Sequence, residues 1–328
     1  MTRIAILGAG GFVFPLRLIG DLLRFPDLWE STIALMDIDP TRLEHTAGAA
    51  RELITHHRLP TRIETTTDRR QALDGARYVI VTFQIGGLDA YRLDVEIPRR
   101  YGVDQTVGDT LGPGGVFRFL RSAPVYRAIG ADMHELCPGA LLINYANPMA
   151  MSCWYLDRLG IDVVGLCHSV QGTSRMLARQ LGVAYDDVRY LAAGINHQAW
   201  FLRFEHGTED LYPRLRQVMT RRQLGGSPFE EGSTDRGDHS EADRGDSDYE
   251  GVQERVRTEI MAAFGYFHSE SSHHASEYLP YFRKSPALVD EMLPVRWDYY
   301  QVCAAHDAGD HTAALLTWLK GELTPSVE

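Results

Sequence analysis

The sequence predicts an α/β fold, in which a Rossmann-like, doubly wound parallel sheet is followed by a mixed α+β domain. Short, almost entirely apolar runs alternate with segments of helical periodicity through the first half of the chain. Strands of that composition are typical of a sheet that helices cover on both faces. A glycine turn follows the first apolar run, and an acidic residue follows the second. Together these features predict a dinucleotide-binding unit.

Length and composition set the broad class of the protein. The chain has 328 residues, which predicts two domains, and we place them at residues 1–195 and 196–328. An apolar fraction of 44% and a charged fraction of 23% are ordinary for a globular enzyme. The net charge of -11 disfavours nucleic acid and anionic membranes as partners, without identifying another partner.

The cysteines and the N-terminus predict a cytoplasmic protein. The four cysteines are widely spaced and form no CxxC pair, which favours a reducing compartment over a disulfide framework. No apolar run approaches the roughly 18 residues that a membrane span requires. The N-terminal segment also lacks the layout of a signal peptide, because its apolar run is short and leads directly into glycines.

The first glycine turn predicts where a dinucleotide binds. The apolar run at residues 3–7 precedes a turn made of Gly8, Ala9, Gly10, Gly11 and Phe12, after which helical periodicity begins. Glycines let the backbone approach a pyrophosphate, and the following helix offers unpaired N–H groups. Val13 replaces the third glycine of the GxGxxG pattern, at a position that governs helix packing rather than phosphate contact. We therefore expect Gly8, Gly10, Gly11 and Phe12 to bind the cofactor.

The acid after the second strand predicts the choice of dinucleotide. The run at residues 32–36 ends in Asp37, Ile38 and Asp39. A carboxylate at this strand end suits a ribose 2′-hydroxyl and repels a 2′-phosphate, so NAD is favoured over NADP. Asp37 is the better candidate because it comes first. Asp39 has the position of a cap for the helix that begins at residue 40.

A thiol and two imidazoles follow short apolar runs in the middle of the chain. Cys167 and His168 stand side by side after the run at residues 161–166, and His197 ends a similar segment at residues 192–197. A thiolate and an imidazole can bind a divalent transition metal and leave positions open for a substrate. The alternative is a buried apolar cysteine and a histidine that packs in the core.

Two further polar residues lie where a ligand could bind. Asp109 is part of a segment, residues 107–115, whose glycines and proline predict an irregular loop. Asn147 follows the predicted strand at residues 140–145, and its amide could bond to sugar hydroxyls. The alternatives are local: a simple turn for the glycine-rich loop, and a turn or cap for the Asn-Pro dipeptide.

Taken together, these motifs resemble glycoside hydrolase family 4, and within it the α-galactosidase branch. The resemblance covers nearly the whole chain, and the motifs occur in the order and with the spacing of that family. It is carried by the glycine turn and by residues 107–115, 144–149, 167–173, 194–200 and 270–282.

The resemblance implies a chemistry and two cofactors. It implies a glycosidase that hydrolyses α-galactosides through oxidation at sugar C3, deprotonation at C2, elimination of the C1 leaving group, addition of water and re-reduction. NAD and Mn²⁺ are the implied cofactors, a small glycoside is the implied substrate, and a homo-oligomer is the expected assembly. This chemistry departs from the carboxylate pair that most glycosidases use.

The resemblance also implies a role for individual residues. Tyr278 matches the catalytic base, with Tyr281 and His273 as alternatives, and Asp109 matches an acid that raises the basicity of that base. The other matches are Cys167 and His197 as metal ligands, His168 as the acid for the leaving group, and Asn147 and Arg92 as substrate-binding residues.

Some expectations depart from the family or compete with it. Residues 221–251 are almost free of apolar side chains and predict a disordered insertion. The family continues beyond the position that matches residue 328, so the resemblance implies that the end of the substrate domain is absent. An α-galacturonidase is the nearest alternative activity. A simple NAD-dependent dehydrogenase and an inactive, truncated NAD-binding remnant are the others.

Overall fold

A computed structural model describes residues 1–11, 14–223, 254–294, 296–308 and 311–322. The chain forms two compact units. The parallel-sheet unit contains residues 1–94, 113–166 and 300–328, and the antiparallel-sheet unit contains residues 95–112 and 167–299. The predicted domain boundary after residue 195 stays a prediction.

Strands and helices alternate through the first half of the chain. The strands are β1 (Thr2–Leu7), β2 (Ser31–Met36), β3 (Arg62–Thr66), β4 (Tyr78–Val81), β5 (Leu141–Asn144), β6 (Val163–Gly165), β7 (Val188–Ile195), β8 (Gln198–His206), β9 (Glu209–Asp210) and β10 (Phe267–His268). The helices are α1 (Phe14–Leu23), α2 (Pro40–His57), α3 (Arg69–Leu73), α4 (Gly87–Arg100), α5 (Gly112–Leu136), α6 (Met149–Arg158), α7 (Ser169–Leu181), α8 (Tyr212–Gln223), α9 (Arg255–Phe264), α10 (Ser272–Tyr278), α11 (Pro286–Met292), α12 (Tyr299–Ala308) and α13 (His311–Glu322).

The parallel-sheet unit is built on six parallel strands in the order β3-β2-β1-β4-β5-β6. The order reverses between β1 and β4, and ligands of such sheets bind at the carboxyl ends of the strands beside that reversal. The glycine turn that follows β1 lies at this edge. The predicted doubly wound sheet is thereby confirmed.

Both faces of this sheet are buried, because alternate residues of each strand point to opposite sides. Ile4 and Ile6 pack in one cluster with apolar side chains of α1, α2 and α13. Ala5 and Leu7 pack in a second cluster with side chains of α3, α5 and α6. Helices on both faces explain why the strands are apolar throughout rather than alternating.

Two local features near the turns differ in how well the sequence predicted them. Asp39 accepts hydrogen bonds from the backbone N–H groups of Thr41 and Arg42, at 2.9 and 3.1 Å, so the predicted helix cap is confirmed. The prediction that residues 107–115 form a loop is wrong for its last part, because α5 begins at Gly112. Pro113 fits there because the first turn of a helix needs no N–H donors.

The antiparallel-sheet unit is organised by a β-hairpin. Strands β7 and β8 pair antiparallel, β10 pairs with the other side of β8, and β9 also pairs with β8. Phe201, Phe204 and Phe267 form the centre of a buried cluster against α7 and α8. A sheet with helices of this kind confirms the predicted mixed α+β unit.

Part of the predicted insertion, as well as one cofactor candidate, lies outside the described residues. Residues 221–223 belong to α8, whereas 224–251 and Phe12 are not described. Among the described residues, no helix has both the length and the apolar character that crossing a membrane would require.

A pair of glycine substitutions tests the packing of α13 against α1. A Cβ atom on the buried Gly20 of α1 would overlap the side chain of Leu319, so Gly20→Ala should lower the free energy of unfolding by about 1 to 2 kcal/mol. Gly48→Ala on α2 should raise it by roughly 0.5 to 1 kcal/mol, because nothing lies within 4 Å and alanine favours a helix. Urea unfolding of both variants measures whether the free energy of unfolding falls in Gly20→Ala and rises in Gly48→Ala. Equal effects would mean that α13 does not pack as described.

Candidate metal centre

Cys167 and His197 come together within the antiparallel-sheet unit. The Cys167 Sγ atom lies 3.5 Å from Nε2 of His197 and 2.9 Å from Oγ of Ser169. Cys167 lies two residues before the start of α7. One sulfur and one imidazole nitrogen thus face each other at a spacing that a metal ion can bridge.

His197 occupies the tip of the hairpin between β7 and β8. Ile195 and Gln198 pair across a two-residue turn, and His197 has a φ of 62°. A residue other than glycine in this left-handed region costs about 1 to 2 kcal/mol, and such strain is concentrated at functional sites. Gly194, with a φ of 145°, lies so close to Ala199 that a Cβ would contact its Cα at 2.6 Å. The hairpin is therefore shaped to present the His197 ring.

A hydrogen-bond chain fixes the orientation of that ring. The hydroxyl of Thr110 donates to Oδ1 of Asp109 at 2.6 Å, and its oxygen lies 2.7 Å from Nδ1 of His197. Because the hydroxyl proton is directed at Asp109, the Thr110 oxygen accepts the proton of Nδ1. That arrangement directs the Nδ1 proton at Thr110, and Nε2 is the ring nitrogen that faces Cys167.

Anionic groups surround His197. Burial alone would lower the pKa of this imidazole, but Glu270, Cys167 and Asp109 outweigh burial and raise its pKa to about 10. The candidate ligand atoms of Cys167, His197 and Glu270 all lie within 4.8 Å of one another. Such surroundings favour a cation. Glu270 was not among the site residues that the sequence predicted.

Asp109 is held in place by a clamp on the loop that carries it. The buried Glu277 carboxylate accepts hydrogen bonds from the backbone N–H groups of Thr106, Val107 and Gly108, at 2.7, 2.9 and 2.8 Å. Burial raises the pKa of Glu277, while Arg283 and the three N–H groups act in the opposite direction. Three donors on one carboxylate fix the backbone immediately before Asp109.

Tyr278 ends α10 and approaches the same acid. Its hydroxyl donates to Oδ1 of Asp109 at 3.3 Å. The two alternatives for a base are placed differently: His273 is buried and stacks on Trp297 at 4.1 Å, and Tyr281 is half exposed. Tyr278 is thus the alternative whose hydroxyl bonds to the Asp109 carboxylate.

A third histidine lies beside the centre. The His274 ring packs edge-on against His197 at 5.0 Å, and its Nδ1 lies 2.8 Å from the Ser271 hydroxyl. Burial and the neighbouring His197 hold the pKa of His274 well below its ordinary value. His274 is therefore neutral, and the sequence did not single it out because it resembles an ordinary helix residue.

The remaining predicted residues occupy other positions. His168 is exposed and is the residue at the N-terminus of α7. Asn147 and Arg92 belong to the parallel-sheet unit, Asn147 at the end of β5 before a cis proline and Arg92 exposed on α4. The backbone oxygen of Asn147 accepts a hydrogen bond from Arg118 at 3.2 Å.

The glycine turn after β1 has the geometry of a nucleotide cradle. Gly8 has a φ of 93°, and a Cβ there would lie 2.6 Å from the backbone nitrogen of Phe83. The Gly10 N–H donates to Oδ2 of Asp37 at 2.8 Å, and a Cβ on Gly10 would meet that carboxylate at 2.9 Å. A Cβ on Gly11 would make only ordinary contacts. Gly8 and Gly10 are thus sterically required, and Asp37 braces the turn.

Comparisons with protein families match nearly the whole chain. Residues 3–183 match the model of family 4 glycosyl hydrolases, and residues 192–318 match the model of the C-terminal domain of the same family.

Two α-galactosidases are similar in sequence. That of Rhizobium meliloti (strain 1021) is 38% identical over 293 residues, which are 89% of this chain and 55% of the relative. That of Bacillus subtilis (strain 168) is 38% identical over 307 residues, which are 92% of this chain and 65% of the relative. The chain therefore spans less than two thirds of the length of these relatives.

Solved structures share the fold. The protein lplD of Bacillus subtilis is 26% identical, with a TM-score of 0.76 that covers 97% of this chain and 72% of lplD. A 6-phospho-α-glucosidase from gut microorganisms, crystallised with NAD and Mn²⁺, is 20% identical with a TM-score of 0.68, covering 98% of this chain and 74% of that one. At 20% identity, the similarity to this second structure shows a shared fold and nothing about activity.

The Thr110→Val substitution tests the hydrogen-bond chain. Valine keeps the shape but loses the hydroxyl, so His197 should lose its fixed orientation and Mn²⁺ affinity should fall roughly 10- to 100-fold. Isothermal titration with Mn²⁺ measures this change. The control is Thr46→Val, a buried threonine on α2 in the other unit. Equal Mn²⁺ affinity in Thr110→Val and the wild type would contradict the role of the hydroxyl.

The Glu277→Gln substitution tests the loop clamp. An uncharged amide oxygen accepts more weakly, so the free energy of unfolding should fall by about 2 kcal/mol. Amide hydrogen exchange at Thr106, Val107 and Gly108 should accelerate, which a general loss of stability would not confine to these residues. Glu291→Gln, at an exposed position on α11, is the control. Unchanged exchange at the three amides would exclude the clamp.

Proposed function

Because the chain belongs to glycosyl hydrolase family 4, we propose that it is an NAD- and Mn²⁺-dependent glycosidase that acts on α-galactosides. One observation carries this proposal: Cys167 Sγ and His197 Nε2 lie 3.5 Å apart in the unit that also joins Tyr278 to Asp109. A dehydrogenase that only transfers a hydride between its substrate and NAD does not require the Cys167 and His197 pair. The activity is proposed for the chain as it stands, at less than two thirds of the relatives' length.

The donor atoms of the centre fit a divalent transition ion. Cys167 and His197 would hold it, with the ring nitrogen directed by Thr110. Sulfur and imidazole donors suit such ions, and two protein ligands leave positions for sugar oxygens. When bound, NAD would accept a hydride from sugar C3 and return it, and Mn²⁺ would polarise the resulting carbonyl.

Tyr278 is the proposed base for the sugar C2 proton. Its hydroxyl is oriented by Asp109, which accepts its hydrogen bond at 3.3 Å. A proton next to a ketone is far more acidic than one next to an alcohol, which brings it within reach of a phenolate. Asp109 thereby orients the base and, through Thr110, a metal ligand.

The other predicted residues complete the proposal. His168, exposed at the start of α7, would donate a proton to the leaving group. Asn147 and Arg92 would bind sugar hydroxyls. In the parallel-sheet unit, Gly8 and Gly10 would admit the pyrophosphate, with Gly11 and Phe12 beside it, and Asp37 would accept from the ribose. Cytoplasmic location and homo-oligomeric assembly stay predictions.

The substrate class rests on the relatives. The two α-galactosidases that are 38% identical to this chain support an α-galactoside. An α-galacturonide is the rival substrate, and its C6 carboxylate would require facing cations.

Hydrolysis of a chromogenic α-galactoside tests the proposal. The rate should be lost when NAD, Mn²⁺ or the thiol reductant is withheld, because each supports a different step or ligand. No NADH should accumulate during turnover. The chromogenic α-galacturonide, assayed alongside, should be the poorer substrate. Hydrolysis that is indifferent to all three additions would overturn the mechanism, and net NADH formation would favour a dehydrogenase.

Hydrogen–deuterium exchange at sugar C2 tests which tyrosine is the base. In D₂O, the wild type should place deuterium at C2 of the released galactose. Tyr278→Phe should lose both deuterium incorporation and turnover, whereas Tyr281→Phe should retain both. Incorporation that persists in Tyr278→Phe would assign the base elsewhere.

A further inference from the structure

The Glu270 side chain is a buried carboxylate beside the candidate metal ligands. Glu270 is 5% exposed and lies between β10 and α10. One of its carboxylate oxygens lies within 4.8 Å of both the Cys167 sulfur and a ring nitrogen of His197. Among the described residues, Glu270 also makes the largest contribution that raises the pKa of His197. Its carboxylate therefore lies close to the ligand atoms of both Cys167 and His197.

The backbone around Glu270 is fixed, so this placement is built into the fold. The Ser269 N–H donates to the carbonyl of Ala199 at 2.9 Å. The Glu270 N–H donates to Nδ1 of His268 at 3.1 Å, and Nε2 of His268 lies 3.0 Å from Oε1 of Gln198. Burial lowers the pKa of His268 to about 3, with Arg257 adding to the effect. A neutral His268 can therefore accept from the Glu270 N–H with Nδ1 and donate to the Gln198 side chain with Nε2.

The carboxylate itself lacks a hydrogen-bond donor within the described part of the chain. The hydrogen bond of Glu270 there is made by its backbone N–H, and no ion pair among the described residues includes its carboxylate oxygens. A buried carboxylate without donors is costly unless a cation lies next to it. A bound cation at this point would compensate the charge of the carboxylate.

The spacing of the three donors suits an ion between them. Metal bonds to sulfur, nitrogen and oxygen are roughly 2.0 to 2.6 Å long, so ligands of one ion lie about 3 to 5 Å apart. The 3.5 Å between Cys167 Sγ and His197 Nε2 falls in this range, as does the limit of 4.8 Å that includes Glu270.

We propose that Glu270 is a third protein ligand of the divalent cation, together with Cys167 and His197. This inference rests on the metal centre of the proposed function and deepens it. A thiolate and a carboxylate balance the charge of Mn²⁺, so the ion binds tightly in an interior that would reject an uncompensated charge. Three protein ligands would leave coordination positions for sugar oxygens.

A second group of potential ligands is less suitable. Asp109, His197 and His274 also offer atoms within 4.8 Å of one another. The ring nitrogen of His197 that faces Asp109, at 3.9 Å, is Nδ1, and Thr110 already occupies it. Nδ1 of His274 faces Ser271, and Oδ1 of Asp109 accepts from two hydroxyls. The Glu270 group is the one whose carboxylate lacks a donor.

Titration with Mn²⁺ alone tests the inference. Isothermal titration of the full chain, with free Mn²⁺ followed by electron paramagnetic resonance, gives the affinity without any turnover. Loss of a partner of a metal ligand costs 10- to 100-fold, so loss of a ligand in Glu270→Gln should weaken binding by at least about 100-fold. Glu270→Asp, which keeps a shorter carboxylate, should bind with intermediate affinity. Glu259→Gln, exposed on α9, should bind like the wild type.

The possible outcomes separate the two proposals. If the wild type binds no Mn²⁺, the metal centre of the proposed function fails, and this inference fails with it. If the wild type binds and Glu270→Gln binds equally well, only the role of Glu270 is refuted. Co²⁺ gives a second measurement: in Glu270→Gln the sulfur-to-cobalt absorption should persist while the ligand-field bands change. Unchanged ligand-field bands would also refute the inference.

Discussion

The candidate centre depends on one chain of hydrogen bonds, from Nδ1 of His197 through the Thr110 hydroxyl to Asp109. A hydroxyl has one proton to give, and its donation to a carboxylate obliges the oxygen to accept from the imidazole. Asp109 therefore fixes the Nδ1 side of His197 through Thr110, and Nε2 is the nitrogen that faces Cys167. Oδ1 of Asp109 also accepts from Tyr278. A single buried carboxylate thus orients a ligand and a candidate base together.

Asp109 can do this only because its loop is tied to the helix that carries Tyr278. Glu277, the neighbour of Tyr278 in α10, accepts from the three backbone N–H groups just before Asp109. Arg283 donates to Asp104 at 3.0 Å and to the Thr106 hydroxyl at 3.0 Å, which ties the start of the same loop. A glycine-rich loop has a large conformational entropy when unfolded, so several charge-assisted bonds are needed to hold it in one conformation. Precision at the centre comes from these bonds rather than from the loop itself.

The sequence predicted what depends on local pattern and missed what depends on distant contacts. The parallel sheet and the Asp39 cap follow from apolar runs and from the order of neighbouring residues. The glycines and proline of residues 107–115 predict too long a loop, because Pro113 also fits the first turn of a helix and α5 begins at Gly112. Thr110 resembles a turn residue and Glu270 a polar residue before a helix cap, and only the folded chain places them near His197.

The backbone strain and the charges at the candidate centre both favour the binding of a cation. The left-handed φ of His197 costs about 1 to 2 kcal/mol, and Glu270, Cys167 and Asp109 all lie near its ring. Glu270, Cys167 and Asp109 outweigh burial and raise the pKa of the His197 imidazole to about 10, which shows that a positive charge is favoured at this point. A divalent ion in place of a ring proton would supply more charge at the same point, with the ring nitrogen as a proposed ligand. The strained backbone and the crowded anionic groups would thus be compensated by the binding of a cation that we propose.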